Sequence, residues 1–244
     1  MKRLILLAAC TLAVAACTDP EAERQKQEAA AAQEHARREV DAAAIGKQYD
    51  GAVAAADWER ARIFGVALFD QYPDSDTAAR IEPGFAEVKA KAEAARELRR
   101  MQALWSYNQV AVGKGVQRSA MIQGKERVDV DGSGAKVVQL VFRDHPQWKH
   151  HAYLVLQAGD FARACYRACR VKVGVDGAAP RAMAAHRPDT DEAIAMFIDD
   201  NRGLWRQARK AKVIEIEFPV QAGGVRSVVF ETGGLDGSQM PGWD

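Results

Sequence analysis

The 244-residue chain lacks several things that would place it quickly. It has no run of about 20 apolar residues, the length a bilayer-spanning helix requires. It has no excess of one charge, with 34 Lys and Arg against 33 Asp and Glu, so no broad field draws it to nucleic acid or another polyanion. There is no H-E-x-x-H, no C-x-x-C, no G-x-S-x-G, no Walker loop and no S-x-x-K with its usual partners. These absences remove the common signatures of zinc proteases, dithiol redox proteins, hydrolases, NTPases and penicillin-binding enzymes. Ser106, Ser119, Ser133, Ser227 and Ser238 have no local base, and no cofactor motif is present. We therefore expect a protein that is not an enzyme and needs no cofactor. A hydrolase whose site is assembled only in space is the remaining catalytic alternative. With 48% apolar and 27% charged residues, the composition is that of a folded protein.

What is present begins at the first residue. Met1-Lys2-Arg3 is followed by an apolar or small-residue run from Leu4 to Ala16, and then by Cys17. A short positive start, an apolar core and a small-residue stop form a secretory signal. Val14-Ala15-Ala16-Cys17 resembles the lipobox of bacterial lipoproteins. That resemblance implies cleavage before Cys17, a diacylglyceryl group on its thiol and acylation of its new amine. Residues 1–16 are then the signal peptide. Leu7-Ala8-Ala9-Cys10 is a rival match, but it leaves a shorter apolar core than the roughly 7–15 residues such signals carry. An ordinary secretory signal with a chance Cys is the other alternative. Thr18, where an Asp signals inner-membrane retention in enteric-type bacteria, implies release to the outer membrane, periplasmic side.

On this reading only Cys165 and Cys169 remain as thiols, an even pair in an oxidising compartment, and a disulfide is expected. Their spacing suits two strand ends facing across a three-residue turn. So small a loop adds only about 2 kcal/mol in the chain-entropy model. Loss of Lys2 and Arg3 lowers the 34 basic residues to 32, against 33 acidic.

From Asp19 to Glu39 there is no Ile, Leu, Val, Met or aromatic residue, only Ala, Glu, Gln, Arg, Lys and their like. Such a segment has high helix propensity and no stripe to dock. Residues 17–48 are read as lipid anchor and stalk, reaching roughly 46 Å if helical at about 1.5 Å per residue. Residues 49–101 read as a helical module. Asp57-Trp58-Glu59-Arg60-Ala61 opens a helix with Ala61, Phe64, Gly65 and Leu68 on one side, ending at Tyr72-Pro73. Phe85, Val88, Ala92, Ala95, Leu98 and Met101 continue an apolar face on a further helix. The run from Gly51 to Ala79, with Asp-Trp-Glu-x-Ala and then Phe69-Asp-Gln-Tyr-Pro-Asp-Ser75, resembles one tetratricopeptide-type hairpin. No second copy is evident, and solenoids need about three.

Beyond Met101 the apolar period shortens to two. Val137 to Phe142, Tyr153 to Leu156, Val171 to Val175, Ala193 to Ile198, Val213 to Phe218 and Val225 to Phe230 read as strands, with a turn at Asp176-Gly177. Asn201 to Lys212 reads as a short basic helix docked by Leu204 and Trp205. Seven or eight short strands over residues 102–244 predict an antiparallel sandwich or barrel. The fold class is thus α+β, an N-terminal helical stalk and hairpin followed by an antiparallel β-sandwich. The order Trp105, Val-rich strand, Cys165/Cys169 hairpin, Val-x-Val-x-Val-Asp-Gly and Phe230-Glu-Thr-Gly-Gly-Leu-Asp236 resembles small periplasmic sandwich domains of secretion systems and envelope lipoproteins. That resemblance implies a non-enzymatic role.

Two segments call for a chemical test. Asp129-Val-Asp131-Gly-Ser133-Gly134 matches the start of a calcium loop, but position twelve is Leu140 in place of the bidentate Glu. Asp129, Asp131 and Ser133 are therefore weak metal candidates, and a hairpin turn is the plainer reading. His145, His150 and His151 flank Pro146 and read as an exposed loop of about nine residues rather than a metal site. The function expected is that of a lipid-anchored outer-membrane lipoprotein that binds an envelope or secretion protein. An immunity or inhibitor lipoprotein that neutralises a toxin is the alternative, with His145 to His151 and Arg202 to Lys212 as candidate contact strips. Partners are the membrane, through lipid, and one such protein, with no nucleic acid.

Overall fold

A computed structural model describes residues 19–166, 168–188 and 194–243. Helices come first and strands follow, and the chain divides into two compact units, Met1–Ala92 and Glu93–Asp244.

In the first unit, α1 (Pro20–Ala54) begins where its sequence tells it to. Asp19 accepts the Glu21 amide at 3.0 Å, Pro20 occupies the first turn, and Glu21 and Glu23 face the positive end of the helix dipole. Every residue through Arg38 is exposed, as the missing apolar stripe requires. From Ala42 the character changes: Ala42, Gly46, Tyr49 and Ala52 are buried at helical spacing. One helix is therefore solvated along its first half and packed along its second. Asp57 caps α2 (Trp58–Gln71) by accepting the Arg60 amide. Ser75 caps α3 (Asp76–Gln102), its hydroxyl accepting the Ala78 amide at 3.1 Å and donating to Tyr72 O at 2.9 Å.

The core of this unit is narrow, built from Ala42, Tyr49, Ala52, Ala61, Leu68, Ala78, Ile81, Phe85 and Val88. Phe85 is its centre, with Phe69 at 5.0 Å and Tyr49 at 6.4 Å between ring centroids. Gly65 makes room for it, because a Cβ there would run into the Phe85 ring. Leu98, assigned to the apolar face of α3 from sequence, is 45% exposed. Met101, about one turn further along the same helix, is buried again.

The second unit is one antiparallel sheet of nine strands in the order β1-β2-β3-β4-β7-β6-β5-β8-β9. These are β1 (Trp105–Val112), β2 (Gly115–Gln123), β3 (Val138–His145), β4 (Lys149–Leu156), β5 (Cys169–Val175), β6 (Arg181–His186), β7 (Ala195–Ile198), β8 (Ile214–Pro219) and β9 (Val225–Phe230). The sheet folds over on itself. Lys125 N donates to Val229 O at 2.7 Å and Arg226 Nε to Asp129 O at 2.6 Å, bringing the segment after β2 against β9. Inward residues of both halves share one core, among them Ala120, Ile122, Leu140, Phe142, Leu154, Met196, Val171, Val173, Ile214, Ile216, Phe218 and Phe230.

Helix α4 (Asn201–Lys210) is capped by Asp200, which accepts the Gly203 amide at 2.8 Å. It buries Leu204, Trp205 and Ala208. Trp205 and Trp243 both meet Phe142 edge-on, at 5.1 and 5.4 Å, and lie 5.0 Å from each other. Asp176 and Gly177 both have positive φ in the turn after β5, and the Asp176 carboxylate also accepts the amides of Lys212 and Val213.

Three sequence expectations are corrected here. The histidines do not occupy a nine-residue exposed loop, because β3 and β4 extend until His145 pairs with Lys149, leaving only Pro146, Gln147 and Trp148 in the turn. Cys165 is not a strand end. It lies in a short 3-10 turn (Arg163–Tyr166), and only Cys169 opens a strand. Strands β2 and β6 add to those expected, and neither carries a clean apolar alternation.

Two alanine substitutions in the first unit should act in opposite directions. Gly51 lies on α1 with nothing within 4 Å of an added Cβ, so Gly51→Ala should stabilise by up to about 1 kcal/mol through helix propensity. Gly65→Ala should destabilise by about 1–3 kcal/mol, because Phe85 must move. Urea unfolding followed by helical circular dichroism separates them, and equal midpoints would contradict the packing.

Candidate functional site

The residues singled out from sequence end up in separate places. Cys17 lies outside the described residues. Cys165 and Cys169 sit at disulfide-bonding distance, Cα atoms 4.7 Å apart. The Cys165 side is buried, and its carbonyl accepts the amide of Arg187. Arg187 is itself 1% exposed, donates from Nη1 to Phe161 O at 3.0 Å and lies 4.1 Å over the Tyr166 ring. The cysteine pair thus closes a turn that a buried cation organises from the inside.

The Asp129–Gly134 segment forms the tip of a hairpin whose arms pair at Val128 and Lys136. Asp129 accepts the Gly132 amide at 2.7 Å and Asp131 the Ser133 amide at 3.0 Å. The bonds from Ser133 hold the Asp131 carboxyl below its usual pKa. Both aspartates spend an oxygen on the turn itself. Among the described residues no group of three or more His, Cys, Asp or Glu side chains gathers around a metal position. Asp131 also borders a shallow cleft of about 640 Å³, shared with Asp160, Ile194 and Gln221.

The basic strip 202–212 is α4 with its inner face in the core, so it offers a half-helix of exposed residues rather than a free loop. Its first turn is tied to β4 by Asn201 Nδ2, which donates to His150 O at 3.1 Å.

The histidine strip leads to a feature that sequence reading missed. His145 is 4% exposed, its Nδ1 accepts the amides of Gln147 and Trp148, and the Trp148 indole stacks on it at 4.0 Å. Arg143 extends between Trp148 and Tyr153, 5.3 and 5.2 Å from their ring centres. Tyr153 lies 5.2 Å from Phe197, which His151 meets edge-on at 5.5 Å and His186 stacks at 5.4 Å. His186 Nδ1 is 2.7 Å from Asp199 Oδ1. These side chains form one row across β3, β4, β7 and β6, on the face opposite Phe142, Leu154 and Ile198. Each cross-strand contact is worth a fraction of a kcal/mol to about 1 kcal/mol. The signal for it was the residue alternating with each core residue, as Arg143 does with Phe142, Tyr153 with Leu154 and Phe197 with Met196. Joining them required the order β4-β7-β6, which is not sequential.

Burial and the neighbouring Arg143 guanidinium push the His151 pKa below 6.5, and burial pushes the Tyr153 hydroxyl up. The row is therefore an aromatic surface carrying the Arg143 guanidinium, beside which the neutral form of His151 is favoured. The His186–Asp199 pair has the geometry of a base and its orienter, yet among the described residues no serine hydroxyl is bonded to a histidine. The hydroxyls of Ser75, Ser227 and Ser238 bond Tyr72 O, Glu215 and Asp236. What the row can do on its own is stack and pair.

No protein-family model matches the chain, and no curated protein matches it. A solved structure to which it is similar is the crystal structure of invasion associated protein B from Bartonella henselae. The two are 15% identical with a TM-score of 0.35, over 54% of this chain and 85% of that one. A likeness at that level carries no argument about activity.

The shifted His151 makes stability depend on pH in a stated direction. With the folded pKa below 6.5, the unfolded chain takes up this proton first as pH falls. Stability should drop as pH falls through about 6.5 and stop dropping from this source below the folded-state pKa. His151→Phe should flatten the dependence of Tm on pH between about 7.5 and 5.5. Parallel slopes for the two proteins would refute the assignment.

Proposed function

We propose that the chain is a lipoprotein anchored through acylated Cys17 to the periplasmic face of the outer membrane, and that it binds a protein of the envelope or of a secretion system. The observation that carries this reading is the sequence Val14-Ala15-Ala16-Cys17 at the end of a short apolar run, followed directly by a helix exposed on all sides through Arg38. Three acyl chains, at about 0.8 kcal/mol per buried methylene, make such an anchor effectively permanent. The exposed half of α1 spans roughly 28 Å at about 1.5 Å per residue, enough to clear a headgroup layer. No described helix is long and apolar enough to cross a membrane, and the anchor supplies the attachment.

The binding role draws on the two resemblances in the sequence, a tetratricopeptide-type hairpin within the helical unit and a secretion-associated sandwich domain in the strand unit. The row from Trp148 to His186 supports it with a surface of the right chemistry, since aromatic and Arg side chains are enriched at protein contacts and Lys and Glu depleted. The second reading is inhibition of a toxic enzyme that reaches the periplasm. The same row favours it, because a preassembled aromatic and cationic face suits one fixed target. Affinity capture with the mature chain distinguishes them: envelope machinery recovered on crosslinking supports the first, a secreted toxin the second.

The anchor has a direct test. Cys17→Ala should abolish incorporation of labelled palmitate and leave the unprocessed precursor, seen as a heavier band and by intact mass. Processing at the normal position in that variant would sink the lipoprotein reading.

A further inference from the structure

The two edges of the nine-stranded sheet are treated differently. At β9 the carbonyl of Val229 is taken by Lys125 N, and the strand carries Arg226. At the other end β1 pairs with β2 alone in unbroken register from Trp105↔Ile122 to Val112↔Gly115. Gly113, with φ of 60°, and Lys114 form the two-residue turn between them. In such a hairpin the pair flanking the turn is hydrogen-bonded, and the bonded pairs alternate from there. Val112, Val110, Asn108 and Ser106 therefore point their amides and carbonyls at β2, and Ala111, Gln109 and Tyr107 point theirs outward. These outward groups meet no backbone partner among the described residues.

Natural edge strands are blunted by charge, proline or bulges. From Trp105 to Gly113 the chain has no charged residue and no proline, and its pairing with β2 has no bulge. Val110 is 44% exposed. This edge is a template left open.

We propose that β1 pairs antiparallel with β1 of a second copy of this chain, about a two-fold axis at Gln109. Gln109 then faces Gln109 and Tyr107 faces Ala111, and the outward groups close about six backbone hydrogen bonds. A two-fold axis matches strand length and register without any further device. Charge favours the same occupant. The two copies of Lys114 fall at opposite ends of the two-copy ribbon, and the two copies of Arg118, each opposite Gln109 on β2, are held roughly 15 Å apart by the two β1 strands between them, so like charges do not meet. Lys114 of one copy falls opposite Leu104 of the other, on the rim of a cleft of about 380 Å³ that Leu104 lines together with Lys125 and Glu231. Tyr107 keeps its own hydrogen bond to the Asp236 amide, at 2.8 Å, on the inner side.

Sedimentation of the full chain in mild detergent tests this over a hundredfold range of concentration. A reversible monomer–dimer equilibrium is expected. Gln109→Pro removes one outward amide and leaves the bonds to β2 in place, so it should raise the dimer dissociation constant at least tenfold with circular dichroism unchanged. Ala111→Lys gives the same readout through edge charge if the proline variant fails to fold. Gln109→Cys should be joined to itself by a short thiol crosslinker, and Ser119→Cys on β2 should not. A chain that stays monomeric throughout would overturn the proposal, as would a dimer indifferent to both edge variants. So would a Gln109→Cys variant that crosslinks to a different protein in place of a second copy.

Discussion

The second unit depends on the contact among Phe142, Trp205 and Trp243. Phe142 belongs to β3, Trp205 to helix α4, and Trp243 to the segment after β9. Three pieces of chain far apart in sequence are thereby fixed against a single ring. Burying aromatic side chains of this size is the largest favourable increment any residues here can supply. The capping of α4 by Asp200, the bond from Asn201 to the β4 backbone and the position of the β3–β4 turn all hold this node in place. A sheet that coils needs such a centre, because its two halves are joined by hydrogen bonds only along their length.

What sequence could reveal followed from local rules. The start of α1 was legible because Asp19 and Pro20 are cap chemistry, and its exposed half because no side chain there can dock. The docking of α4 through Leu204 and Trp205 was legible for the complementary reason. The Asp176-Gly177 turn was legible from its dipeptide alone. Strand β6 escaped because half of Arg181 to His186 is alanine, which strands deplete and which gives little contrast between faces. The histidines were hidden because Pro146 argued for a long loop, whereas a turn of three residues accommodates it and leaves His145 paired.

The aromatic row illustrates a different limit. Each member obeys the alternation of its own strand, but the row exists only because β7 inserts between β4 and β6. Strand order is set by long-range pairing, and no window of sequence contains it. By contrast the open edge at β1 needs only the knowledge that β1 comes last in the sheet. Its lack of charge is plain in the sequence, and only the topology gives that lack a meaning.

The unbroken course of α1 sets a phase relation. Its exposed half and its packed half share one set of backbone hydrogen bonds, so whatever is joined at Asp19 inherits an azimuth from the burial of Ala42, Tyr49 and Ala52. One residue inserted between Glu21 and Arg38 lengthens the rod by only about 1.5 Å but rotates its free end by about 100°. Seven residues lengthen it by roughly 10 Å and return it to within about 20° of its original heading. The first half of this helix is thus tolerant in composition and exacting in number, a shaft whose length is read as an angle.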